Sequence, residues 1–175
     1  MGVWIIDPSH SALTFAVRHL GFSKVRGRFK QYRGRIESDA DDGIFGSTAV
    51  AEVDVASVDT DVADRDAHLR SAEFFDADSF PTMTFETTVI RQGADGIEVI
   101  GDINIRGVTR PVLFEIGEFG RVRDPWGNER VAFDAHGEVD RRDFGLKWNM
   151  ALETGGFLVG ETVEINLEIQ AIKRE

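Results

Sequence analysis

Val163-Glu164-Ile165-Asn166-Leu167-Glu168-Ile169-Gln170 carries an aliphatic side chain at every odd position and a polar one at every even position. Side chains of a β-strand point alternately to opposite faces, so this is a strand with one dry and one wet face. The pattern recurs along the chain. Residues 49–55 set Ala49, Ala51, Val53 and Val55 against Glu52 and Asp54, and residues 83–89 set Met83, Phe85, Thr87 and Val89 against Thr84, Glu86 and Thr88. Residues 97–105 set Ile97, Val99, Gly101, Ile103 and Ile105 against Glu98, Asp102 and Asn104. Residues 131–139 set Val131, Phe133, Ala135, Gly137 and Val139 against Asp134, His136 and Glu138. Antiparallel sheets show this alternation, whereas parallel sheets covered on both faces do not.

Three further strands fit residues 11–19 (Leu13, Phe15, Val17), 25–36 (Val25, Gly27, Phe29 opposite Arg26, Arg28, Lys30) and 111–119 (Val112, Phe114, Ile116), giving about eight. Turn residues separate them at Asp41-Asp42-Gly43, Gly93-Ala94-Asp95-Gly96, Asp124-Pro125-Trp126-Gly127-Asn128 and Gly155-Gly156. Residues 63–77 break the alternation, with Leu69, Ala72 and Phe75 at helical spacing, and predict one or two short helices packing Leu69, Phe74 and Phe75 inward. Residues 143–156 form a second irregular segment. With no linker, repeat or low-complexity stretch, 175 residues predict a single all-β domain spanning 1–175. The strands form a barrel or a sandwich. An eight-stranded barrel encloses either packed side chains or a small ligand.

Composition narrows the function classes. The net charge is -11, with seven Lys/Arg against Asp7 in residues 1–36 and thirteen acids against Arg65 and Arg70 in residues 37–78. Nucleic-acid binding is driven by cationic surface, so an acidic chain argues against that partner. There is no cysteine, hence no disulfide or thiolate chemistry. The start, Met-Gly-Val-Trp-Ile-Ile-Asp-Pro, has no basic region followed by an apolar run, Ile6 stands where a myristoylation motif wants Ser or Thr, and no apolar run is long enough to span a bilayer. The expectation is a cytoplasmic protein without stable membrane insertion.

Four stretches bear a family likeness. They are Asp7-Pro8-Ser9-His10-Ser11 running on to 19–29; Ala56-Ser57-Val58-Asp59-Thr60 with 65–76 and Phe80-Pro81; residues 101–112; and Asp140-Arg141-Arg142-Asp143-Phe144-Gly145-Leu146 with Val159-Gly160 and Val163. Jointly and in this order they resemble the YceI-like family of polyisoprenoid-binding proteins over nearly the whole chain. The resemblance implies an eight-stranded, extended, lipocalin-like antiparallel barrel with a long apolar tunnel. It also implies a bound isoprenoid chain, as in a polyprenyl lipid or quinone, that the protein sequesters or transports. The chain differs from many relatives in that no signal peptide is expected from its first residues, and in having Asp140 where many relatives have Asn.

The candidate ligand-lining residues are Phe15, Phe29, Val53, Met83, Phe85, Val99, Ile103, Phe114, Phe133 and Leu167, all on dry faces. From the pattern alone they line a tunnel or fill a solid core; the resemblance favours the tunnel. His10, His19, Arg65 and His68 are candidates for meeting a head group at the barrel mouth or for fixing loops. His10 and His19 are nine apart, on opposite faces of a regular strand, which argues against joint metal ligation; no metal and no cofactor are expected. Arg65, Asp66, His68 and Arg70 gather donors near a helix start or form a salt-bridged surface, and the Arg26, Arg28, Lys30 stripe reads as a solvated face. There is no Gly-x-Ser-x-Gly elbow, so Ser9-His10-Ser11 is not a triad fragment by any local signature, and the Gly-rich run 155–160 leads into a strand, so it is not a dinucleotide or phosphate loop. No catalytic residue is assigned. The competing readings are an enzyme acting on a hydrophobic molecule through His10, His68 or Asp143, and a ligand-free stress-related barrel. A homodimer is compatible with the uneven charge.

Overall fold

The structure, a computed structural model, describes residues 2–38 and 44–174. Its strands are β1 (Gly2–Ile6), β2 (Ala12–His19), β3 (Ser23–Phe29), β4 (Tyr32–Ser38), β5 (Thr48–Asp54), β6 (Val58–Asp59), β7 (Thr82–Gln92), β8 (Ile97–Ile105), β9 (Val108–Arg123), β10 (Glu129–Asp140) and β11 (Val159–Arg174), with one α-helix, α1 (Ala63–Arg70). All pair antiparallel in one sheet, and the ring β1-β4-β5-β7-β8-β9-β10-β11 closes through β1 on β11. The expected eight-stranded antiparallel barrel is therefore present, and its closure leaves that ring without a free edge.

The remaining strands arise because three paths around the barrel are broken in two. The first breaks between β1 and β2 at Pro8–His10, where Asp7 Oδ1 accepts the Ser9 N–H (3.1 Å) and Pro8 needs no ladder partner for its nitrogen. The second breaks between β3 and β4, inside the single strand expected over 25–36. There the Lys30 N–H turns to Ser57 O (3.2 Å) and the Gln31 N–H to Ser57 Oγ (3.0 Å). The third breaks between β5 and β6 at the 3₁₀ turn Val55–Ser57, capped by Asp54 Oδ1 on the Ala56 N–H (3.1 Å). Val55, expected as the last inward residue of a strand, instead lies in that turn, 1% exposed in the core.

Two β-bulges correct the expected facing. In β7, Thr87 pairs with Gly101 but Val89 with Ile100, so Thr88 is an extra residue and the parity reverses beyond it. Val89 is consequently exposed, and Ile90 turns inward. In β9, Ile116 faces Ala135 and Phe119 faces Phe133, so β9 carries the extra residue. The Glu118 N–H freed there donates to Asp134 Oδ1 at 2.7 Å. Four strands run longer than the sequence alone suggested (β7, β9, β10 and β11), and β1 was not expected: its residues are apolar throughout and show no alternation.

The register places the β2–β3 and β8–β9 turns, α1 and segment 141–158 at one end of the barrel, here called the helix end. The turns at 93–96 and 124–128 lie at the opposite end. The largest packed cluster closes the helix end around Phe29, Val55, Val58, Phe74, Phe144 and Leu146, with Leu69 and Phe75 against it as expected. A smaller one, Trp4, Val131 and Ala171, lies toward the opposite end. The expected turn at Asp41-Asp42-Gly43 lies outside the described residues. Among the described residues, no helix is long and apolar enough to cross a membrane.

Candidate functional site

The inward faces leave the barrel hollow. One cavity of about 640 Å³ runs inside it from Trp4, Ile36 and Arg121 near the opposite end to His19, Trp148 and Leu158 at the helix end. That volume lies in the range of pockets that enclose a whole small ligand.

Its wall is built from alternate residues of every long strand. Phe15, Phe29, Val53, Met83, Phe85, Val99, Ile103, Phe114, Phe133 and Leu167 all line it. Phe29, Val53 and Met83 also belong to the packed cluster at the helix end, so there the cavity wall and the core are the same side chains. Phe85 and Phe114 meet edge to face, with centroids 5.7 Å apart, as do Phe29 and Phe75 at 5.8 Å.

The polar candidates separate. His19, Arg65 and His68 reach the cavity, whereas His10 does not. His10 sits in the short turn after Asp7, where its Nδ1 lies 2.9 Å from Asp7 Oδ2 and 3.0 Å from Ser9 Oγ on the outside of the barrel. The expectation that it meets a ligand is corrected by that turn, which ends β1 and sets His10 apart from the regular strand carrying His19. Arg65 spends its donors on Thr60, through Nε to Oγ1 and Nη2 to the carbonyl, both at 2.8 Å. Asp66 takes the Thr60 N–H and hydroxyl, at 2.8 and 2.5 Å. His68 pairs with Glu73 and packs edge-on against Phe74 and Trp148. The 65–70 cluster is thus largely engaged in fixing the helix end. Arg28 and Lys30 lie outside on Asp59, whose carboxyl is held down to about 2 by the Asp61 N–H and then by Lys30. His136 is likewise outside, its Nδ1 2.8 Å from Asn166 Oδ1.

Arg141, in the short 3₁₀ turn after β10, is 5% exposed and makes no ion pair with a carboxylate among the described residues. Its donors go to four backbone carbonyls, Gly160 (2.7 Å), Leu146 (2.6 Å), Trp148 (3.0 Å) and Val159 (3.3 Å). Burial pushes its guanidinium below the ordinary arginine value, and Asp140 and Glu161 oppose that shift. The side chain ties segment 145–160 across the helix end, and a buried guanidinium with five donors suits a set of converging carbonyls.

Sequence reasoning missed several lining residues. Trp4 and Ile6 lie in the unexpected β1, Ile90 lies beyond the β7 bulge, Phe119 and Arg121 lie beyond the β9 bulge, and Trp148 and Leu158 lie in irregular chain. Trp4 donates from Nε1 to Ser38 Oγ at 3.0 Å, and the Arg121 guanidinium stands 5.5 Å from the Trp4 ring centre. Among the described residues, no three His, Asp or Glu side chains converge as a metal site requires.

Comparison with known proteins agrees with this architecture. The chain is 37% identical to a UPF0312 protein of Vibrio cholerae over 147 residues, 82% of this chain and 77% of that one. It superposes on the crystal structure of the Campylobacter jejuni YCEI protein with a TM-score of 0.72 at 29% identity, over 90% of each chain. A polyisoprenoid-binding domain from Saccharophagus degradans shares the fold, with a TM-score of 0.66 at 15% identity over 98% of each chain. Residues 4–171 match the YceI-like domain, and on that match the chain belongs to the YceI-like family.

Proposed function

We propose that the protein binds a long-chain isoprenoid lipid or isoprenoid quinone inside the barrel and sequesters or carries it without changing it chemically. The observation that carries this reading is the elongated cavity of about 640 Å³ walled mainly by Phe, Val, Ile, Leu and Met side chains. Burial of a CH₂ group is worth about 0.8 kcal/mol, so such a wall favours a long apolar chain over a polar solute. The shared fold with a polyisoprenoid-binding domain points the same way. Of the ionisable groups along the wall, Arg141, Arg65 and His68 are already hydrogen-bonded within the protein, which supports binding over catalysis.

The test is organic extraction of the purified protein followed by mass spectrometry. A prenyl compound near one equivalent per chain is the expected result. Folded protein that carries no lipid and takes up no added prenyl alcohol or quinone overturns the reading. An extracted compound that the protein converts to another would replace binding with catalysis.

A further inference from the structure

The cavity reaches the helix end at His19 and Leu158, and each has an exposed apolar neighbour. Leu20 and Phe22 form the tip of the β2–β3 hairpin and are 45% and 88% exposed; Met150 and Phe157 in the β10–β11 segment are 56% and 61% exposed. The Leu20 N–H donates to Leu158 O at 2.9 Å, which joins the two loops into one apolar rim beside the cavity.

The hairpin tip is unusual in its backbone. Leu20 and Gly21 both have positive φ, 56° and 73°, the form of turn that favours Asn-Gly. A leucine there is unfavourable, and Leu20 belongs to none of the core clusters among the described residues. The β8–β9 turn has the same form, with Arg106 at φ 52°, but the Arg106 side chain bonds Gly145 O and Ala72 O at 2.8 and 2.9 Å. Leu20 instead projects into solvent.

The charge behind the tip is specific. Residues 18–30 contain Arg18, Lys24, Arg26, Arg28 and Lys30 and no acid, in a chain of net charge -11. Arg18, Lys24 and Arg26 share the outer face of the hairpin by register. Lys24 pairs with Glu164 at 2.8 Å, while Arg18 and Arg26 make no ion pair among the described residues. The β10–β11 segment adds the exposed Lys147 against Asp143 and Glu153, while its Arg141 is buried and its Arg142 pairs with Asp140 and Glu161. Apolar tips backed by cations suit a bilayer carrying anionic headgroups; because Asp61, Asp64 and Glu73 around α1 lie at the same end, the attraction comes from the hairpin and not from the helix end as a whole.

We infer that the rim formed by Leu20, Phe22, Met150 and Phe157 docks this end of the barrel onto an anionic lipid bilayer, so that a lipid passes between membrane and cavity at this mouth. The passage of lipid rests on the prenyl-binding reading; the docking does not.

The experiment is sedimentation of the full chain with vesicles of equal parts phosphatidylcholine and phosphatidylglycerol, and with phosphatidylcholine alone. Wild-type protein is expected to sediment with the mixed vesicles and more weakly with the neutral ones. The double variant Leu20→Asn, Phe22→Ser should lose about tenfold or more of that partition. Its thermal stability should be kept, because Asn accepts the positive φ, and so should its uptake of a prenyl alcohol from detergent. Trp126→Ser, at the opposite end, should leave vesicle binding unchanged. The inference is overturned if wild-type protein ignores the mixed vesicles, if the double variant binds them equally well, or if Trp126→Ser alone abolishes binding. It is also overturned if the rim proves to hold two copies together, seen as a wild-type dimer that the double variant splits. Wild-type protein that docks but takes up no prenyl compound would defeat the cavity reading and leave the docking standing.

Discussion

The Phe85 ring lies flat over Gly101 on the neighbouring strand: a Cβ on that glycine would stand 2.4 Å from two of its ring carbons and 2.5 Å from Glu86 O. The arrangement repeats. A Cβ on Gly27 would meet Phe15 Cζ at 2.3 Å, and one on Gly137 would meet Phe114 Cδ1 at 2.8 Å and Leu113 O at 2.9 Å. Three inward phenylalanines are thus laid against the wall over three inward glycines, and the lumen beside them stays open. Gly101→Ala should force the Phe85 ring into the lumen and strain the Glu86 carbonyl, at a cost of about 1–3 kcal/mol. Urea denaturation should show the loss of stability, and prenyl uptake should fall with it. Gly120→Ala is the control, since nothing lies within 4 Å of its Cβ position.

Filling the lumen from the strand on the other side of Phe85 separates ligand space from stability. Ala51 pairs with Gly34 on one side and Phe85 on the other, and it lines the cavity. In a solid core, Ala51→Phe would overpack and unfold the protein. With about 640 Å³ of space available, the new ring should be accommodated with less than about 1.5 kcal/mol change. Prenyl uptake, measured by mass spectrometry after incubation and washing, should drop at least severalfold. Retained circular dichroism with lost uptake is the expected pair of results.

Much of this wall was legible in the sequence because alternation is a local property. Val99, Ile103 and Leu167 face inward as their odd positions imply, and so do Phe15 and Phe133. The cavity itself was legible only through the family likeness, since the same residues on the same face describe a packed core equally well. The bulges were not legible. One extra residue reverses the parity of everything beyond it, so Val89 exchanges places with Ile90, and Arg121 enters the lumen. In β9 the cause is a single acceptor, Asp134, which the alternation marks only as another wet-face acid. His10 became a candidate because it lies in a likeness motif; what a motif does not show is that Asp7 caps a turn that ends the strand and holds the imidazole outside the barrel. Arg141 lay in a quoted motif, but its four carbonyl partners come together only when segment 145–160 folds back.

Arg130 joins Asp7 and Asp124, each at 2.9 Å, and so pins the β1–β2 turn to the β9–β10 turn. The Ser9 hydroxyl and then Arg130 hold the Asp7 carboxyl well below the ordinary range; Arg130 and then Asn128 do the same for Asp124. Groups depressed in the folded state take up protons more readily once the chain unfolds. Their contribution is therefore full above the ordinary carboxylate range, near about 4, and is lost as pH falls toward their folded values. Wild-type Tm should fall as pH drops from about 5 to about 2. Asp7→Asn should lower Tm at neutral pH and flatten that acid slope. A slope identical to wild type would show that this cluster does not govern acid stability.

Arg141 should matter more than any other single polar side chain at the helix end. Removing it leaves the carbonyls of Leu146, Trp148, Val159 and Gly160 without this donor, and Leu146 is itself 6% exposed, so water replaces the guanidinium poorly. An unsatisfied buried group costs about 1–3 kcal/mol, so Arg141→Met should destabilise by about 3 kcal/mol or more. Arg141→Lys should recover only part of this, because an ammonium offers three donors from one point where the guanidinium offers five in a plane. Amide hydrogen exchange should rise in residues 145–160 before it rises in β7 or β8, since those strands keep their ladder bonds. If the guanidinium is only one of many supports, exchange in that segment will match wild type, and the fall in stability will be spread evenly over the barrel.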